Sequence, residues 1–220
     1  MTIQEMQLDR TSLTYAPANP AINHEALSQP TVFVDRDGVI NQNRSNHVLS
    51  WQDFEFVAGS ILALASLHRA GYQVIVVTNQ AAIARKLFSI HELELIHQRM
   101  QEAIEEGGGK VKGIFYCIHL PTADCACRKP RPGLLFEAAE KFNIELTTSW
   151  LVGDHTTDMQ AAVAAGCKPL LVLTGRGQTA YETWQQNQDS TGPGVYPPLT
   201  VKANLLEAVD FILAKERIMV

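Results

Sequence analysis

The stretch Thr31-Val32-Phe33-Val34-Asp35-Arg36-Asp37-Gly38-Val39-Ile40-Asn41 decides how the rest of this 220-residue chain is read. Four apolar or β-branched residues run without interruption into an Asp-x-Asp-Gly turn. An unbroken apolar run of that length suits a strand buried on both faces, as in a parallel sheet. Four further runs share the pattern: Tyr72 to Asn79, Gly113 to His119, Ser149 to Asp154 and Pro169 to Thr174.

Between these runs the spacing changes to that of helices. Ile61, Leu64 and Leu67 keep one apolar face, and Gly71 follows as a left-handed stop. Ser89 and Glu92 form a capping box before the stripe Ile96, Met100, Ile104, which Gly107-Gly108-Gly109 ends. Pro132 opens a helix through Phe136 and Ala139, Asp158 to Ala165 makes another closed by Gly166, and Asn204 to Lys215 is a last amphipathic one. Strands alternating with helices predict a doubly wound, Rossmann-like α/β parallel sheet with helices on both faces. The segment from Gln178 to Thr200, rich in Gln, Gly and Pro, reads as a long surface loop. Residues 1–30 have no steady period and carry Pro17, Pro20 and Pro30; they read as an N-terminal extension to one domain over residues 31–220.

Composition narrows the function classes. Hydrophobic residues make up 46% and charged residues 19%, the balance of a globular domain and too apolar for disorder. A net charge of −5, with Arg128 to Arg131 as the only basic cluster, offers no stripe for tracking nucleic-acid phosphates. No apolar run approaches the ~18 residues of a spanning helix, and the first ten residues lack a signal-peptide pattern. The expectation is a cytoplasmic monomer that binds neither nucleic acid nor membrane.

The chemistry collects where strands end, and open α/β sheets bind ligands there. The first strand delivers Asp35 and Asp37, the second Thr78-Asn79-Gln80, and the fourth Asp154 with Asp158 a turn later. Arg128 and Lys129 follow the third. Each piece alone is also an ordinary cap or turn. Their joint occurrence at successive strand ends points to a site for Mg²⁺ and a phosphoryl group, since hard oxygen ligands suit that ion.

Cys117-Ile118-His119 and Cys125-Ala126-Cys127 form a second constellation. Period-two geometry lets each pair point to one side, and a short loop brings the pairs together. Three thiolates and an imidazole complete a closed tetrahedral Zn²⁺ site of the structural type. The alternative is a set of buried or redox-active thiols. Cys167, after Gly166, reads as a small core residue.

With these residues in view, Phe33 to Asn41 resembles the first motif of haloacid-dehalogenase-type phosphatases. Val77-Thr78-Asn79-Gln80 resembles their second, Arg128-Lys129-Pro130 the cationic third, and Val152-Gly153-Asp154 through Asp158 the fourth. Ile83-Ala84-Arg85 and Cys127 to Gly133 are similar to the D-glycero-D-manno-heptose bisphosphate phosphatases and their histidinol-phosphate phosphatase relatives. The resemblance spans residues 31–175.

It implies a Mg²⁺-dependent phosphomonoesterase acting on a small phosphorylated substrate. Asp35 would attack phosphorus to give an aspartyl-phosphate, and Asp37 would protonate the leaving group and then activate water. Thr78 would hydrogen-bond the phosphoryl group and Lys129 would offset its charge. Asp35, Asp154 and the backbone carbonyl of Asp37 would hold Mg²⁺. Asp158 would lie behind the metal ligands or cap its helix. The resemblance also implies zinc at Cys117, His119, Cys125 and Cys127. Asn79, Arg85, Arg128, Arg131 and His155 are the substrate-binding candidates, and Arg36 has a packing, backbone or catalytic part. The short His119-to-Cys125 loop is like histidinol-phosphate phosphatases, whereas Ile83-Ala84-Arg85 and Arg131-Pro132-Gly133 are like the heptose group. Ala81-Ala82 stands where the heptose enzymes usually carry Ser-Gly, and His155 where relatives carry Lys or Arg. A heptose bisphosphate is the expected substrate and histidinol phosphate the alternative. No insertion is long enough for a large cap domain. A phosphoacceptor receiver module is disfavoured by chain order, because its acceptor Asp lies on a later strand.

Overall fold

The computed structural model describes residues 29–188 and 199–217. The predicted extension therefore lies outside the described residues apart from Gln29 and Pro30. Six strands form one parallel sheet in the order β3-β2-β1-β4-β5-β6: β1 Thr31–Val34, β2 Gln73–Asn79, β3 Gly113–Cys117, β4 Trp150–Gly153, β5 Lys168–Val172 and β6 Thr200–Lys202. From β1 the chain builds outward through β2 and β3. It then returns to the other side of β1 for β4, β5 and β6. The direction reverses between β1 and β4, so the crevice beyond their carboxyl ends is the expected ligand site.

Alternation along the strands sorts the core into two faces. Val32 and Val34, with Val74, Val76 and Val152, pack on one side against α1 (Ser60–Arg69), α2 (Ile90–Glu106) and α6 (Leu205–Arg217). Phe33, Ile75, Val77 and Leu151 point the other way, against α3 (Gly133–Phe142) and α4 (Thr156–Ala165). The stripe foreseen on α2 is buried, with Leu93 and His97 added to Ile96, Met100 and Ile104. Ser89 caps that helix and Glu92 reaches back to the Ser89 amide at 2.7 Å. Cys167 is buried in the second face.

One sequence reading is corrected. The Gln178-to-Thr200 segment, expected to be a loop, begins as helix α5 (Gly177–Gln188), and a sixth strand, β6, starts at Thr200. Two residues, Ala180 and Trp184, suffice to seat α5 against Met159 and Leu171. Their i, i+4 spacing is one helical turn, but polar neighbours on the remaining faces conceal it. The helix from Pro132 forms as foreseen, yet Phe136 is 50% exposed, and Leu134, Leu135 and Ala138 make its core face.

Candidate active site

Asp35 is the first residue past β1, and its amide donates to the Val152 carbonyl of β4 at 2.9 Å. Asp154 is the first past β4. The switch point thus brings these two carboxylates together, and Asp35, Asp154 and Asp158 each place an oxygen within 4.8 Å of the others. Gly38 has φ +94°, and a Cβ there would stand 1.9 Å from Asp154 Oδ2. A Cβ on Gly175 would meet the same oxygen at 2.1 Å. Both glycines are therefore required by the close approach of Asp154, and the Arg176 amide donates to its Oδ2 at 2.8 Å.

Lys129 enters this acidic group from the third strand's side. Its Nζ lies 2.9 Å from Asp35 Oδ1 and 2.6 Å from Asp158 Oδ1, and it donates to the Val77 carbonyl at 2.7 Å. The contact with Asp35 is a close ion pair in a buried site. Burial lowers the Lys129 pKa, and Asp158 and Asp35 outweigh it to hold the ammonium charged. Asn79 grips the Lys129 backbone from both sides: its Nδ2 donates to the Lys129 carbonyl at 3.1 Å and its Oδ1 accepts the Lys129 amide at 3.2 Å. In this arrangement Asn79 secures a cation.

Three carboxylates facing one ammonium leave excess negative charge. Burial, opposed by Lys129 and aided by Asp158 and Asp37, pushes Asp35 up to about 6. Burial, with Asp35 and Asp158, pushes Asp154 up to about 8. A cluster that resists ionisation in this way is relieved by a divalent cation, and its donors are hard oxygens. The residues fit Mg²⁺. Asp158 caps its helix as one of its two foreseen readings, Oδ2 accepting the His155 amide at 3.0 Å, and its Oδ1 pairs with Lys129.

Asp37 stands apart, half-buried at the cleft wall. Asn41 Nδ2 donates to its Oδ1 at 2.9 Å, Gln80 Nε2 to its Oδ2 at 2.8 Å, and Arg36 Nη2 to both oxygens at 2.9 and 2.8 Å. Burial raises its pKa, but Arg36 and these hydrogen bonds outweigh it and the net shift is downward. Gln80 also donates to Thr78 Oγ1 at 3.0 Å. Gln80 and Asn41 sit inside the recognised motifs, although the sequence supplied no partner for either. His97 was not foreseen at all.

Every residue assigned above to Mg²⁺ or substrate lines one cleft of about 550 Å³. Arg85 and Arg131 are exposed on its rim; Arg85 Nη1 lies 3.3 Å from His47 Nε2, and Arg131 pairs with Asp124. Arg128 donates to the His119 carbonyl at 3.2 Å. His155 caps α4 through Nδ1, which accepts the Thr157 amide at 3.2 Å; burial first, then Arg176 and Lys129, lower its pKa despite Asp158. Arg44, Arg176 and His47 also line the cleft, on loops whose sequence carries no motif.

The second constellation also assembles. Cys117 Sγ lies 3.8 Å from Cys125 Sγ and 3.4 Å from His119 Nδ1, and His119 Nδ1 lies 3.3 Å from Cys127 Sγ. A tetrahedron with metal–sulfur bonds of ~2.3 Å has sulfur–sulfur edges of about 3.8 Å, so the four ligands match Zn²⁺. Burial and the neighbouring thiols push Cys127 up to about 12, a state that a metal reverses by taking the thiolate.

Comparison with known proteins agrees with this geometry. A D-glycero-β-D-manno-heptose-1,7-bisphosphate 7-phosphatase of Neisseria meningitidis is 44% identical over 147 residues, covering 67% of this chain and 79% of that protein. The chain belongs to this phosphatase family. The Pseudomonas putida enzyme of the same name is 42% identical over 151 residues, 69% of this chain and 86% of its own. The HAD-hydrolase-like family model matches residues 126–195. The crystal structure of the Bordetella bronchiseptica D,D-heptose 1,7-bisphosphate phosphatase, solved with magnesium and phosphate, superposes with a TM-score of 0.76 at 36% identity. That match covers 84% of this chain and 99% of the other. Among the described residues no helix is long and apolar enough to cross a membrane.

Proposed function

We propose that this chain is a Mg²⁺-dependent phosphomonoesterase that removes the 7-phosphate of D-glycero-D-manno-heptose 1,7-bisphosphate. The observation that carries the reading is the meeting of Asp35 and Asp154 at the sheet's switch point, with the Lys129 ammonium between Asp35 and Asp158. The named relatives at 42–44% identity supply the substrate class.

In the proposed reaction a carboxylate oxygen of Asp35 attacks phosphorus, the Asp35 O–P bond forms, and the bond to the sugar oxygen breaks in line. Asp37 gives its proton to the departing sugar oxygen. It then takes a proton from the water that attacks the aspartyl-phosphate, which regenerates Asp35 and releases inorganic phosphate. Arrival of a phosphate dianion raises the Asp37 pKa by like-charge repulsion, against the pull of Arg36, and so favours the acid form. Lys129 and Thr78 face the transferring phosphoryl group. Asp35, Asp154 and the Asp37 carbonyl would hold Mg²⁺, which when bound neutralises charge accumulating on the phosphoryl oxygens. Arg85, Arg128 and Arg131 on the rim provide guanidinium donors for the second phosphate and the sugar hydroxyls. Cys117, His119, Cys125 and Cys127 would hold Zn²⁺, which would have a structural part and fix the loop that carries Arg128 and Lys129.

The test is phosphate release from the heptose bisphosphate, sugar monophosphates and histidinol phosphate, with Mg²⁺ and with EDTA. Selective Mg²⁺-dependent release from the heptose bisphosphate is expected, and Asp35→Asn lowers it by ~10³-fold or more with an unchanged circular dichroism spectrum. Preference for histidinol phosphate replaces the substrate assignment, and near-normal turnover by Asp35→Asn refutes the nucleophile.

A further inference from the structure

Arg36 occupies an odd position for a cation. It sits between the two carboxylates of the Asp-x-Asp turn, yet it is only 1% exposed and points into the α2 side of the sheet. There Nη1 lies 3.2 Å from Nε2 of His97, itself 5% exposed in the buried stripe of α2. Its other terminal nitrogen, Nη2, returns to the next residue and bonds both oxygens of Asp37. Among the described residues Asp37 is the one carboxylate that pairs with Arg36.

A guanidinium has only donors, so Nε2 of His97 must accept and the ring proton must sit on Nδ1. The ring is therefore neutral, in keeping with a pKa that burial first, and Arg36 second, lower to about 3. The His97 ring is braced in turn by Tyr116 of β3, with centroids 5.5 Å apart. A buried charge pair of this kind contributes little net stability relative to an apolar side chain of similar volume. Its return lies in orientation, because both terminal nitrogens of a planar group are fixed at once.

We propose that Arg36 and His97 are positioning residues for Asp37: the imidazole on α2 fixes the guanidinium, and the guanidinium fixes the carboxylate against the cleft wall. Asn41 and Gln80 complete the set, and Gln80, which lines the cleft, links it to Thr78. The inference rests on the proposed role of Asp37 as the group that protonates the leaving oxygen. In this reading both act through the Asp37 carboxylate, and neither is assigned to the transferring phosphoryl group.

Leaving groups separate this role from a merely structural one. A sugar alkoxide needs a proton to depart, whereas p-nitrophenolate does not. Loosening Asp37 must therefore lower kcat/KM for the heptose bisphosphate more than for p-nitrophenyl phosphate. Partial unfolding lowers both equally, so the ratio of the two is independent of the folded fraction. His97→Leu removes the acceptor and is expected to lower kcat/KM about 10–100-fold on the heptose bisphosphate and less than about threefold on p-nitrophenyl phosphate. His97→Gln keeps an oxygen acceptor and restores most of the ratio. Arg36→Lys, which cannot bridge His97 and Asp37 together, behaves as His97→Leu. Equal losses on the two substrates, or a His97→Leu protein with the parent's ratio, overturn the inference while the phosphatase reading stands. A parent protein inert toward every phosphate ester overturns both.

Discussion

His97 makes a measurable claim about stability as well as about catalysis. In the unfolded chain a histidine titrates near 6.5, whereas the folded imidazole, buried and facing the Arg36 guanidinium, titrates at about 3. The other charged groups near it are Asp37, beyond Arg36, and the Tyr116–Glu94 pair on the far side of the ring. Between pH 6.5 and 3 the unfolded state binds a proton that the folded state refuses, so lowering the pH destabilises the fold. From pH 7 to pH 5 linkage assigns this one group a loss of about 2 kcal/mol, a figure that holds for any folded pKa well below 5. Gln cannot titrate, and His97→Gln should lose about 2 kcal/mol less than the parent over that interval. Asp35 and Asp154, with pKa values raised to about 6 and 8, act in the opposite sense as the pH falls. They are common to both proteins and cancel in the difference. Urea unfolding at pH 7 and 5, read by far-ultraviolet circular dichroism without added Mg²⁺, measures it. Losses that agree within about 0.5 kcal/mol, with equal denaturant slopes, would falsify the neutral, Arg-facing imidazole.

Lys129→Met keeps the volume but leaves Asp35 and Asp158 without their shared ammonium. The cost expected in urea unfolding at pH 7 is about 3–5 kcal/mol, and a cost under about 1 kcal/mol would contradict the ion-pair geometry. Gly38→Ala drives a methyl into Asp154 at a left-handed φ, so hydrolysis should fall ~10²-fold and its half-saturating Mg²⁺ concentration should rise. Unchanged Mg²⁺ dependence would remove Asp154 from the metal site. Metal analysis should find about one Zn²⁺ per chain in the parent and far less in Cys125→Ser, which should also melt several degrees lower. Parent protein that is free of zinc and equally stable would reject that centre.

The first strand and its Asp-x-Asp turn are readable because a doubly buried strand has no polar residue to confuse the pattern. Val32, Phe33 and Val34 must all be apolar when helices cover both faces. The ligands of both candidate metal sites are readable because their chemistry is local: each lies at a strand end or within a short loop beside it. Helix α5 and strand β6 are a different case. Two buried residues hold α5, and β6 is a three-residue strand whose residues are all half-buried, so neither leaves a period to find. Strand ends shift by a residue or two because hydrogen bonding, which hydropathy does not report, sets them. His97 is the instructive omission. It lies on the buried stripe of α2 between Leu93 and Met100, and its polar partner is a guanidinium 61 residues earlier in the chain. No local signal records such a partner.

The placing of Lys129 shows what a metal bound at the Cys/His cluster would do for this site. The residue sits in the irregular segment between β3 and α3, where no ladder of backbone hydrogen bonds fixes the chain. It must still present an ammonium within ion-pair distance of both Asp35 and Asp158. Three restraints act on it. Asn79, the last residue of β2, clasps its peptide groups from both sides; the Val77 carbonyl of the same strand receives its Nζ; and Cys127 stands only two residues before it. The first two tie Lys129 to β2, the strand beside β1, which Asp35 directly follows. Neither reaches further back along the chain than the Lys129 amide. With zinc bound, Cys127 becomes a fixed point joined to β3 through Cys117, and the segment is held at its entry as well as at its tip. Loss of zinc should therefore weaken turnover through Lys129 before it unfolds the sheet, because the preceding residues then keep only the Gly133 amide on the Ala126 carbonyl and the exposed Arg128 and Arg131 side-chain bonds to the His119 and Cys125 carbonyls.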